Sequence, residues 1–138
     1  MLTEGNGIPI GIVVAGANRN DMKLVQATLE SIVVARPVTS DQQPQNICLD
    51  KGYDYPEIER LVAQWGYTAH IRGRGEERQE RAAIVGYRAR RWVVERTHSW
   101  MNRFRRLLVR WEKKVANYLG MLHLACAWIT FRAAGVVG

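Results

Sequence analysis

Residues 47–71 constrain the fold more than any other stretch. Ile47-Cys48-Leu49 is a short apolar run, Asp50-Lys51-Gly52-Tyr53-Asp54 is rich in turn residues, residues 56–65 open with proline and precede Gly66, and residues 67–71 are apolar again. Proline suits the first turn of a helix, and glycine suits the left-handed position just past its end. The order predicts strand, helix, strand, and therefore two parallel strands joined by a right-handed crossover. Asp50 falls at the carboxyl end of the first strand, where ligands of open α/β sheets gather. Its other available role is that of a turn residue bonding the Lys51-Gly52 backbone. Asp54 is expected to cap the helix that follows.

Upstream, Glu4-Gly5-Asn6-Gly7 is a hairpin signal, because Asn-Gly readily supplies the positive φ angles of a type I′ turn. Residues 8–15 are β-branched and apolar on both sides, as in a strand covered on two faces. Only Met1, Leu2 and Thr3 precede the turn, so the chain reads as the later part of a larger domain. A helix is expected over residues 22–35, capped by Asp21 or Asn20, with Leu24, Ala27, Thr28 and Ile32 facing inward and Pro37 ending it. Residues 39–46 and the charged stretch 73–81 read as loops. The 138 residues suffice for one domain, 1–138, and are too few for two.

A long helix is predicted from about residue 82 or 87 to 111. At about 100° per residue, Val93, Thr97, Trp100, Phe104, Leu107, Leu108 and Trp111 form one apolar stripe. Arg91, Glu95, His98, Asn102 and Arg106 cluster opposite. The stripe places Trp100 and Trp111 in the core, while Trp92 stands off it and is the better candidate for stacking on a base. His98 shares the Glu95 side and is placed to touch phosphate, whereas His70 and His123 read as packing residues. A last helix spans 115–133. Its apolar content raises the question of a membrane span, but Asn117, His123 and Thr130 interrupt it and it is shorter than the ~20 residues a bilayer requires. It is read as a buried helix, with no membrane partner.

Charge bears on what such a helix meets. The net charge is +7, yet residues 71–114 hold 14 Lys/Arg against 5 Asp/Glu, a local +9, and the remainder is faintly acidic. A basic block of this kind is the footprint expected for phosphate backbones, although a mixed solvated surface is the bland alternative. Cys48 and Cys126 lack zinc or redox spacing, and no basic-then-apolar leader opens the chain, so a cytoplasmic setting is expected. If the long helix packs beside the strand bearing Asp50, Glu95 faces that aspartate. Two such carboxylates would hold Mg²⁺ or Mn²⁺, hard ions that take oxygen ligands and keep waters for phosphate to replace.

The blocks Cys48-Leu49-Asp50-Lys51-Gly52-Tyr53-Asp54 and Arg91-Trp92-Val93-Val94-Glu95-Arg96-Thr97-His98-Ser99-Trp100-Met101-Asn102-Arg103-Phe104-Arg105-Arg106-Leu107 resemble the last two blocks of DDE transposases of bacterial insertion sequences. The nearest group is the one named for insertion sequence five, within the insertion-sequence-four-like class. Gly16-Ala17-Asn18-Arg19-Asn20-Asp21 resembles that group's segment between its first and second aspartates. The resemblance implies an RNase H-like α/β fold, here incomplete at the amino terminus, in which three acids bind two divalent ions. By position Asp50 would be the second aspartate and Glu95 the glutamate, while Arg91 matches the arginine of the Tyr-x2-Arg-x3-Glu-x6-Lys signature. Tyr87 lies one residue too early for the tyrosine, and Asn102 stands at the lysine position with Arg103 beside it. The first aspartate has no counterpart, since Glu4 is the sole acid before Ile8 and lies in the turn.

The implied function is metal-dependent DNA strand cleavage and transfer, inactive without an upstream segment or full-length copy to supply the missing acid. Phosphate contacts are expected from Arg88, Arg91, Arg96, His98, Asn102, Arg103, Arg105 and Arg106. The alternatives are a non-catalytic DNA-binding or regulatory fragment, whose affinity needs no metal, and a decayed product whose exposed sheet edge invites aggregation.

Overall fold

A hairpin opens the chain in the computed structural model, which describes residues 1–16, 18–19, 21–40, 42–71 and 92–135. Strand β1 (Leu2–Thr3) pairs antiparallel with β2 (Pro9–Gly11). Gly7 N–H donates to the Glu4 carbonyl at 2.9 Å, and Gly7 takes φ +85°. No other residue of the turn has positive φ, so the expected type I′ turn is replaced by one with a single left-handed glycine after it, as in a type I turn with a glycine bulge. The Glu4 carboxylate closes the turn by accepting from the backbone N–H of Asn6 at 2.8 Å and of Ile8 at 3.0 Å. β2 stops at Gly11, short of the expected residue 15.

After a 3-10 turn at Asp21–Leu24, helix α1 (Val25–Glu30) is shorter than the sequence suggests. Ile32-Val33-Val34 is a β-branched run that resists helix, and Val33 N–H instead donates to the Ile10 carbonyl at 3.1 Å. Val25 and Leu29 are the buried residues of α1, so the inner face is rotated from the one expected. The α1 N-cap is Leu24, without a side-chain bond, rather than Asp21; Asn20 lies outside the described residues.

The strand-helix-strand unit is present as read. Strand β3 (Gln45–Leu49) includes two residues assigned to the preceding loop, α2 spans Pro56–Gln64, and β4 (Tyr67–Ile71) lies parallel to β3, with Gln45 beside Tyr67 and Leu49 beside Ile71. Pro56 occupies the first turn and Gly66, at φ +77°, turns the chain out of the helix. Asp54 does not cap α2; Tyr55 stands at that position without a side-chain bond. Arg36 ties the incoming loop down, donating to Gln45 Oε1 and to the Trp65 carbonyl at 2.7 Å while stacking 4.0 Å from the Tyr67 ring centre.

The carboxyl-terminal part holds α3 (Trp92–Met101), α4 (Arg105–Leu108) and α5 (Val115–Ala133). The long helix expected to reach residue 111 is broken where Phe104 adopts an extended backbone, φ −86° and ψ 96°. Its expected start, the 73–81 loop, Arg88 and Arg91 all lie outside the described residues. α5 buries one face only, through Leu122, Ala125 and Ile129, while Leu124, Trp128 and Phe131 face water, so it is not the buried helix expected. No described helix is long and apolar enough to cross a membrane.

Two apolar clusters result. Val25, Leu29, Ile47, Ile58 and Val62 form the first, with Leu2 against them. Met101, Leu122 and Ile129 form the second, joined by Met1, Ile12, Trp100, Phe104 and Leu107. Successive strand residues point to opposite faces, so the hairpin supplies Leu2 to one cluster and Met1 to the other. The described strands form two separate two-stranded sheets in a mixed α/β chain.

Candidate active site and nucleic-acid face

Asp50 sits where the sequence places it, at the end of β3, and is exposed. One carboxylate oxygen, Oδ1, accepts from Gly52 N–H at 2.8 Å and so caps the 3-10 turn Lys51–Tyr53. Its turn role is thus occupied, and Oδ2 remains for other work. Glu95 lies in the first turn of α3 among exposed neighbours Val94, His98 and Ser99.

The helix bearing Glu95 is fixed by the next two residues. Thr97 is fully buried (0% exposed), and its hydroxyl lies 2.5 Å from the Gly7 carbonyl and 3.1 Å from that of Val93. A hydroxyl has one proton, so the shorter contact, to Gly7, is the one that crosses to the hairpin. Arg96 donates to the Asn6 carbonyl, with its guanidinium 4.4 Å from the Trp92 ring centre and 4.9 Å from that of Trp100. Its Nε is buried without a hydrogen-bond partner, the ring faces supplying the cation's surroundings instead. Arg96 was expected on DNA phosphate; in the structure it bonds the Asn6 carbonyl and lies against the Trp92 and Trp100 rings, which ties it to the fold. Trp92, expected to be available for stacking, is covered on one face by the same guanidinium.

This latch settles what α3 rests on. The helix packs against β1 and α5, rather than beside β3 as the sequence reading supposed. Among the described residues no group of three or more His, Cys, Asp or Glu is placed to hold a metal ion. The donors that are present, exposed carboxylate oxygens of Asp50 and Glu95, are nonetheless of the kind that Mg²⁺ and Mn²⁺ take.

The cationic side chains are displayed as the charge pattern predicts. His98, Asn102, Arg103, Arg105 and Arg106 are all exposed. Arg106 is the exception in freedom, since its Nη1 pairs with Glu112 Oε1 at 2.9 Å. Beyond these, Arg110 stacks 5.1 Å from the Tyr118 ring centre, and Lys113 and Lys114 are exposed. Reasoning from a continuous helix missed this segment, because the stripe put Trp111 in the core whereas it is 68% exposed. The local charge count, which runs to Lys114, was the signal that reached it. His70 is a strand residue, its Nε2 2.7 Å from Asn46 Oδ1.

These features define a mixed α/β domain that displays an acid from a latched helix within a cationic surface. The chain belongs to the Transposase DDE domain family, which matches residues 1–130. It is 32% identical over 139 aligned positions to a Burkholderia cepacia protein described as a transposase for insertion sequence element IS402. That alignment covers 97% of this chain and 64% of the relative, so the chain spans less than two thirds of the relative's length. No solved structure is matched.

Proposed function

We propose that the chain is the carboxyl-terminal portion of an RNase H-like transposase catalytic domain, of the insertion-sequence-five group, acting in metal-dependent DNA strand cleavage and transfer. The observation that carries this reading is the family match across residues 1–130, which includes both Asp50 and Glu95. Asp50, through Oδ2, and Glu95 would hold Mg²⁺ or Mn²⁺, two ions in the complete enzyme. A divalent ion there supplies charge stabilisation at phosphate and a more acidic bound water. The chain's own part is to present the two carboxylates, Asp50 from the end of β3 and Glu95 from the first turn of α3.

His98, Asn102, Arg103 and Arg105 bind DNA phosphates in this reading, with Arg106 sharing its charge between DNA and Glu112. Arg88 and Arg91, outside the described residues, join them by position in sequence. The third acid comes from outside residues 1–138, on an upstream segment or a full-length copy. Without that acid the chain binds DNA and does not cut it. Co-producing residues 1–138 with an upstream transposase segment carrying the first aspartate should yield Mg²⁺-dependent nicking of element ends that Glu95→Gln abolishes. Nicking that persists in this variant rejects the assignment.

A further inference from the structure

The segment between α4 and α5 carries an aromatic ring that the fold does not use. Trp111 is 68% exposed, whereas Trp65 and Trp100 pack against the two clusters, Trp92 lies under Arg96, and Trp128 pairs with Phe131. Its neighbours in sequence, Arg110, Lys113 and Lys114, are cationic. Among the described residues no ion pair engages Arg103, Arg105, Lys113 or Lys114. The one acid in the segment, Glu112, is largely covered and taken by Arg106 and by Asn117 Nδ2 at 3.4 Å. Immediately behind lies the amino end of α5, a helix of 19 residues whose first turn is already met by the Glu112 carboxylate through Asn117.

An exposed apolar ring could instead be a protein contact. Protein interfaces, however, are depleted in lysine at their centres, and here two lysines follow the ring within three residues. An exposed aromatic ring followed closely in sequence by two lysines suits a nucleic-acid strand, whose bases offer π-faces and whose phosphates offer charge. Within an intact duplex each base face is already covered by its neighbours, so the ring is matched to an unpaired base.

We propose that residues 109–114 form a stacking tip for single-stranded or gapped DNA, with Trp111 lying on an unpaired base and Arg105, Lys113 and Lys114 taking the flanking phosphates. This rests on the DNA-binding part of the function proposed above and names which form of DNA the surface prefers.

The test is fluorescence anisotropy of residues 1–138 on a short duplex and on the same duplex with a central unpaired gap, with labelled DNA and no divalent ion. The unmodified chain should prefer the gapped form by about tenfold, the effect of one stacked base. Trp111→Ala should remove that preference and leave duplex affinity within about twofold, while Trp111→Phe retains most of it. Changing Lys113→Gln and Lys114→Gln together should weaken binding to both forms and flatten the salt dependence by about two phosphate contacts. Equal affinity of the unmodified chain for both forms, or a preference that Trp111→Ala leaves intact, overturns the stacking tip while the DNA reading stands. Self-association abolished by Trp111→Ala with the gap preference unchanged assigns the tip to a protein contact and overturns it too. Failure to bind either DNA overturns the DNA reading itself.

Discussion

The Thr97 hydroxyl and the Gly7 carbonyl, 90 residues apart in sequence, meet at 2.5 Å in a fully buried contact that fastens the helix of Glu95 to the amino-terminal hairpin. A Cβ on Gly7 would lie 3.0 Å from that hydroxyl and 3.3 Å from the Arg96 guanidinium, at a φ of +85° that other residues rarely adopt. Glycine is therefore required there by both the backbone and the close approach.

Removing the hydroxyl while keeping the shape should cost stability. Thr97→Val is expected to lose about 1–2 kcal/mol, the effect of leaving a buried carbonyl without its donor. Gly7→Ala should cost at least as much, since the left-handed backbone alone is worth about 1–2 kcal/mol against a side chain. Urea unfolding measures both. Wild-type midpoints in the two variants would show that the latch contributes nothing.

Arg96 should resist conservative replacement. Lysine lacks the planar guanidinium that lies against two indole rings and reaches the Asn6 carbonyl. Arg96→Lys is expected to lower stability by about 1 kcal/mol and to shift tryptophan emission as Trp92 and Trp100 lose their cover. A lysine variant with unchanged melting and unchanged emission would contradict the sandwich.

Asp50 can be divided into its two roles by one pair of substitutions. Asparagine keeps an oxygen for Gly52 N–H, so Asp50→Asn should fold nearly as the parent does, whereas Asp50→Ala should lose about 1 kcal/mol through the missing cap. Both should be inactive in the completed enzyme. Cleavage by the asparagine variant at the parent's rate would reduce Asp50 to a turn residue.

The two cysteines should differ in reactivity. Burial raises the Cys126 thiol above its ordinary range, outweighing its backbone hydrogen bond, while Cys48 is exposed. A thiol that holds its proton more tightly when folded gives stability that is intact below the unfolded-state value and is lost as pH rises through the folded one. A maleimide at mildly alkaline pH should therefore label Cys48 first and Cys126 only at higher pH or on unfolding. Equal labelling rates, followed by mass spectrometry of the peptides, would count against this.

What could be read from sequence follows from how local each signal is. The β3-α2-β4 unit was legible because Pro56 and Gly66 mark the two ends of one helix and the strands flank it closely. The break at Phe104 was not, because periodicity records which residues face the core and says nothing of whether the chain stays straight between them. Trp100, Phe104 and Leu107 do pack into the second cluster, yet across two helices, and the bend carries Leu108 and Trp111 into water. The strand end that carries Asp50 and the helix that carries Glu95 were each legible by pattern. The latch at Gly7, Arg96 and Thr97 was not, since it depends on contacts across the length of the chain that no spacing encodes.

Met1 and Leu2 are neighbours in the chain, yet one enters the cluster of Met101, Leu122 and Ile129 and the other the cluster of Val25, Leu29, Ile47, Ile58 and Val62. A displacement of that short arm is shared by both halves of the molecule at once. The arm works as a common axle, so whatever grips it is felt in both clusters.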